Sequence, residues 1–74
     1  MRPNRDRFIE RCRAQRTALI KIVAALKAKR KNNAGQNATT AQINAALDAR
    51  IFNCECSIAR LEIIIMEAEA EAAA

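Results

Sequence analysis

Asn32-Asn33-Ala34-Gly35-Gln36-Asn37, residues 32–37, is the one stretch of this 74-residue sequence that predicts a turn, and it decides the fold. Gly35 is the only glycine, and it suits the left-handed position that follows many helices. On its N-terminal side nothing between residues 4 and 31 breaks a helix, and the cations at 29–31 suit a helix C-terminus. On its C-terminal side, Thr39 and Gln42 have the spacing of a capping box, which predicts a second helix.

Two rows of apolar residues predict how these helices pack. In each helix the row advances by steps of four and three residues, which is typical of helices that pack along their length. The first row is Phe8, Cys12, Gln15, Leu19, Ile22 and Leu26; the second is Leu47, Ile51, Cys54, Ile58, Leu61, Ile65 and Ala68. A short turn forces the helices antiparallel and pairs residues whose numbers add up to about 73, such as Leu26 with Leu47.

The fold class predicted is therefore all-α, a coiled-coil-like antiparallel two-helix hairpin that assembles into a four-helix or larger helical bundle. One domain spans residues 1–74, with helix 1 over about 4–32, a turn over about 33–38 and helix 2 over about 39–72.

The reason to expect assembly is a second apolar row on helix 2. It lies two residues from the first row, about 200° around the helix, and comprises Ala45, Ala49, Phe52, Cys56, Ala59, Ile63, Met66 and Ala70. A helix that is apolar on two opposite sides is usually buried on both. We expect the interface to use Phe52, Cys56, Ala59, Ile63 and Met66, with a homo-oligomer, most simply a dimer, favoured. A different partner protein, or plain exposure of the row, remains an alternative.

Charge divides sharply between the two halves of the chain. Residues 1–38 hold eleven Lys and Arg against two acids, a net charge of +9, whereas residues 39–74 hold two Arg against six acids, a net charge of −4. The predicted register brings the arginines at 5, 7 and 11 near the glutamates at 62, 67 and 69. The basic residues left for an acidic protein or a nucleic acid are Arg13, Arg16, Lys27, Lys29, Arg30, Lys31 and Arg60. A solvated charged face is the simpler interpretation of the same residues.

Catalysis and cofactor binding have little support in this composition. The sequence has no His, Trp or Tyr, and it has no Gly-rich phosphate loop, so we expect no enzyme, no cofactor and no small-molecule substrate. The cysteines at 12, 54 and 56 are expected to be small core residues rather than metal ligands, although copies of one cysteine could meet in an oligomer. Their odd number and the lack of a long apolar segment favour a reducing cytoplasm over secretion or a membrane.

The sequence thus predicts a small non-enzymatic oligomeric interaction protein, acting as an adaptor, inhibitor or assembly factor. The alternative is a regulator that binds the backbone of RNA or DNA through a basic helical-hairpin dimer.

Overall fold

The protein folds as a helical hairpin. The computed structural model describes residues 3–33 and 37–73, and its two helices are α1, Pro3–Asn32, and α2, Ala38–Ala73. They pack antiparallel into a rod of 57 × 14 × 13 Å, and no strand occurs in the part of the chain that is described. The predicted all-α hairpin is confirmed. Each helix end lies within one residue of its expected position.

The start of α2 differs from the prediction. The side-chain oxygen of Asn37 accepts a hydrogen bond of 2.8 Å from the backbone N–H of Thr40, so Asn37 caps the helix and Thr39 lies inside it. The first helical bond runs from the N–H of Ala41 to the carbonyl of Asn37 at 3.1 Å. Asparagine caps at least as well as threonine, and it stands two residues earlier. The role expected for Gly35 lies outside the described residues.

The apolar seam predicted for α2 is correct along its whole length. Leu47, Ile51 and Ile65 are buried, and the other members of the row are half-buried against α1. The buried residues form two clusters, one towards the turn around Val23, Leu26, Leu47 and Ile51, and one towards the chain ends around Ile9, Cys12 and Ile65.

The seam predicted for α1 is wrong at three of six positions. Ile9 and Val23 are buried, whereas Phe8 and Ile22 are each 42% exposed and Gln15 is exposed. The observed row is Ile9, Cys12, Arg16, Leu19, Val23, Leu26, Arg30 and Asn33, which also steps by three and four. This rotation turns cationic side chains of α1 towards acids of α2. A seam chosen by hydrophobicity alone does not take these ion pairs into account.

The register between the helices is also displaced. The side-chain amide of Asn44 donates a 2.7 Å hydrogen bond to the carbonyl of Asn33, and the numbers of this pair add up to 77. Arg30 and Asp48, which form an ion pair, add up to 78. Relative to the expected value near 73, each residue of α1 therefore faces α2 about one turn further along. The beginning of α2 consequently extends past the end of α1, and Ile43 there is 44% exposed.

Candidate interaction surfaces

The second apolar row of α2 forms a continuous exposed surface, which we call the outer stripe: Ala45, Ala49, Phe52, Cys56, Ala59, Ile63, Met66 and Ala70. All eight residues are exposed, and the three largest, Phe52, Ile63 and Met66, are 65%, 57% and 68% exposed. The steps of four and three residues keep the stripe straight along the helix. The structure therefore brings all five expected interface residues to one face of α2, on the side away from α1.

A row of acidic residues borders the outer stripe. Asp48, Glu55, Glu62 and Glu69 recur every seven residues, and each directly follows a residue of the seam. Each of the first three also lies one helical turn before a residue of the outer stripe, so this acid row runs between the stripe and α1.

Cations from α1 neutralise most of this acid row. Lys27 pairs with Glu55 at 3.1 Å, Arg30 pairs with Asp48 at 3.0 Å, and Arg13 pairs with Glu69. Lys27 and Arg30 were expected to lack acidic neighbours, and that expectation is wrong because the register and the rotation of α1 both differ from the prediction. A target contact for the three cations stays a prediction. Of the ion pairs expected near the chain start, Arg5 does meet a glutamate, but the partner is Glu71 at 3.6 Å.

The remaining basic residues of the expected target site lie at two levels of the rod. Lys29 and Lys31 are exposed in the last turn of α1, Arg60 is exposed on α2, and Arg16 is half-buried at the seam. Within the described ranges none of these four makes an ion pair. Lys29 and Lys31 lie at the turn end, whereas the observed register puts Arg16 and Arg60 at about the same level further along the rod.

Three further exposed apolar side chains, Phe8, Ile22 and Ile43, lie about 20 Å apart on another side of the hairpin, and sequence reasoning missed them. Phe8 and Ile22 each precede a seam residue of α1 by one position, and Ile43 precedes Asn44 of the α2 seam in the same way. In antiparallel helices these equivalent positions line the same side. The signal lay in the apolar pairs Phe8-Ile9 and Ile22-Val23, of which only one member can enter the seam.

The three cysteines occupy three different environments. Cys12 is buried in the cluster near the chain ends, Cys54 is half-buried in the seam, and Cys56 is exposed on the outer stripe; all three are free thiols. Among the residues described, no group of three His, Cys, Asp or Glu side chains is arranged to hold a metal ion. Neither described helix contains an apolar segment of the length needed to cross a bilayer.

Comparison with known proteins adds no relative to this geometry: no protein-family model, no curated protein and no solved structure matches the chain.

Proposed function

We propose that the protein is a small non-enzymatic interaction protein that self-associates and acts as an adaptor, inhibitor or assembly factor. The observation that carries this proposal is the outer stripe, in which Phe52, Ile63 and Met66 are more than half exposed on one helix face. Scattered apolar residues are normal on a protein surface, but a contiguous row of this kind marks an interaction site.

The interior of the hairpin supports the need for a partner. Among the described residues no side chain is fully buried, and even the best-covered seam residue, Ile65, retains 4% exposure. Two helices that touch along one seam leave most of each helix surface in water. A chain of this length has too small a core to be strongly stable, and association is a common remedy.

The proposal assigns no catalytic role to any residue. The sequence contains no His, and three of the four carboxylates of the acid row form exposed ion pairs. Charged groups in such pairs are used for packing and solubility far more often than for proton transfer.

The basic end of α1 is the proposed contact for an acidic target. Lys29 and Lys31 are exposed there, and the chain as a whole carries a net charge of +5. Nucleic-acid binding remains the second candidate, supported by this same basic end. It is the weaker of the two, because Arg13, Lys27 and Arg30 are engaged with acids of α2 and no aromatic side chain adjoins the two lysines.

Solution mass tests the lead proposal. We expect wild-type protein to scatter light as an oligomer at both 0.1 and about 1 M salt, because apolar burial is insensitive to the screening that weakens charge pairs. Ile63→Asp should dissociate the oligomer, because it places a charge in the outer stripe. Ile43→Asp is the matched control: Ile43 is 44% exposed on α2 outside the outer stripe, and this variant should keep the wild-type mass.

A folded wild-type monomer would overturn self-association. The nucleic-acid candidate is tested by fluorescence anisotropy with a labelled RNA hairpin and a labelled DNA duplex. Binding that falls steeply with salt and is lost in the double variant Lys29→Ala/Lys31→Ala would favour that candidate instead.

A further inference from the structure

The outer stripe has an internal symmetry. From Ala45 to Ala70 its members are separated by four, three, four, three, four, three and four residues, a sequence of steps that is the same from either end. Its midpoint falls between Ser57 and Ile58. A surface of this kind matches itself when a second helix is laid against it in the opposite direction, as across a two-fold axis.

We propose that α2 pairs antiparallel with α2 of a second copy through the outer stripe, with the two-fold axis passing between Ser57 and Ile58. This inference rests on the self-association proposed above and adds the partner, the direction and the register. Four layers result, each formed twice: Phe52 with Ile63 of the second copy, Cys56 with Ala59, Ala49 with Met66, and Ala45 with Ala70.

The sizes of the side chains suit these layers. The central Cys56–Ala59 layers are small and let the two helices approach closely, whereas the adjoining Phe52–Ile63 layers are large and fill the space on either side. Alternation of large and small layers is how interdigitated helix cores fill their volume. Every member of the stripe meets an apolar residue in this register, so no exposed apolar side chain of the stripe is left against a charge.

The surface area of the single chain is consistent with a second copy as the occupant. The chain exposes 5732 Å², whereas a compact monomer of its 8.2 kDa mass is expected to expose about 4,500 Å². The difference, about 1,200 Å², exceeds the roughly 800 Å² that each partner contributes to a standard stable interface. Its radius of gyration of 16.9 Å is likewise larger than the roughly 11 Å expected of a compact chain of this length.

The ion pairs within each hairpin remove an obstacle to this pairing. Across the same axis Glu55 approaches Glu62 of the second copy, and Asp48 approaches Glu69, so like charges adjoin. Three of these four acids already hold a cation from α1: Glu55 holds Lys27, Asp48 holds Arg30 and Glu69 holds Arg13. The cations of α1 therefore make the edge of the stripe nearly neutral, which an isolated α2 would not achieve.

The assembly that follows is a row of four helices rather than a square bundle. Because the outer stripe lies about 200° around α2 from the seam, the two α2 helices occupy the centre and the two α1 helices lie outside. Both faces of α2 are then covered, and the exposed lysines at the end of α1 remain accessible at both ends of the row.

Cysteine cross-linking of the full chain tests the register. Cys56 of one copy faces Ala59 of the other, so Ala59→Cys should form a covalent dimer under mild oxidation at least ten times faster than wild type. Ala49→Cys is the matched control, because it adds one cysteine to the same exposed stripe but faces Met66 of the second copy. In the double variant Cys56→Ala/Ala59→Cys the cross-linking rate should fall back to that of wild type, because a single cysteine beside the axis meets its own copy about one turn away rather than directly opposite.

Each alternative gives its own result. Fast cross-linking of the double variant Cys56→Ala/Ala49→Cys would indicate a parallel pair and overturn the proposal, because in the antiparallel register residue 49 lies about 17 residues, or about 25 Å along the helix, from its own copy. Equal rates for Ala59→Cys and Ala49→Cys would overturn it as well. Fast cross-linking of Met66→Cys instead of Ala59→Cys would move the axis by several residues. Light scattering of the same proteins under reducing conditions tests self-association separately from the register. An oligomer that lacks the Ala59→Cys cross-link would contradict only the register, whereas a monomer would contradict self-association itself.

Discussion

Asn44 provides the sharpest test of the energetics of the hairpin. Its side chain is the only polar one buried in the described seam, at 9% exposure, and its amide donates to the carbonyl of Asn33 at 2.7 Å. Its side-chain oxygen is buried with no hydrogen-bond partner among the described residues. The net value of one such hydrogen bond is about 1 kcal/mol, whereas an unpaired buried acceptor costs about 1–3 kcal/mol. Asn33 is only half-buried and stands at the turn, so we expect water to replace the lost donor.

We therefore expect Asn44→Leu to stabilise the hairpin, because it removes the unpaired oxygen and adds apolar area next to Leu47. The expected gain in the free energy of unfolding is about 1–3 kcal/mol, once the lost hydrogen bond is set against a buried leucine worth about 1.5–3 kcal/mol. In a chain of this size each kcal/mol raises the melting temperature by about 4–8 °C.

The assay is urea unfolding followed by circular dichroism, in the Ile63→Asp background, so that association does not enter the measured free energy. Asn53→Leu is the matched control, because Asn53 is exposed on the same helix, and its effect should stay within about 0.5 kcal/mol. A loss of stability in Asn44→Leu would refute the reasoning and show that the bond to Asn33 outweighs the unpaired oxygen. Asn44 would then increase the free energy of unfolding. In the expected case it lowers the free energy of unfolding and fixes the register between the helices.

Five further substitutions test the packing, the helix cap and the ion pairs. Val23→Ala should cost about 1–3 kcal/mol in urea unfolding and Ile22→Ala less than about 1 kcal/mol, because only Val23 is buried; equal costs would contradict the observed rotation of α1. Asn37→Ala should cost about 0.5–2 kcal/mol in thermal unfolding, whereas Thr39→Ala should have little effect, and the reverse order would restore Thr39 as the cap. Lys27→Ala should cost no more than about 1 kcal/mol, and the cost should vanish in about 1 M salt, because both partners of the Lys27–Glu55 pair are about half exposed. A larger cost that salt does not change would mean that the stem of Lys27 contributes through packing.

The sequence predicts the seam of α2 correctly but not the seam of α1. The seam of α2 could be identified because five large aliphatic side chains stand at seam spacing along it, whereas the outer stripe holds only three large apolar residues. In α1 the apolar pairs Phe8-Ile9 and Ile22-Val23 give two rows with the same spacing, and hydrophobicity does not choose between them. The choice depends on charge across the seam, which can be assessed only once the register is known.

The register between the two helices could not be predicted from the sequence, for a physical reason. It depends on how many residues the turn occupies and how far α2 extends beyond it, and a displacement of one turn preserves the alternation of apolar layers. The contact between Asn33 and Asn44 fixes it in the structure, but two asparagines near a turn give no such signal in a sequence. The ion-pair partners predicted for Arg5 and Glu69 were wrong for this reason, whereas the outer stripe was found because it depends on α2 alone.

The division of charge between the helices links the folding of the hairpin to its proposed assembly. An acid row beside an apolar stripe would oppose self-association of α2, because the pairing places acids of the two copies next to each other. The cations at Arg13, Lys27 and Arg30 reach that row only when α1 is docked in the observed rotation and register. A hairpin that opened, or that docked with Phe8 and Ile22 in the seam, would leave the edge of the stripe negative. We therefore expect α2 to self-associate only as part of the folded hairpin, which would keep a strongly apolar helix from pairing before α1 covers its other face.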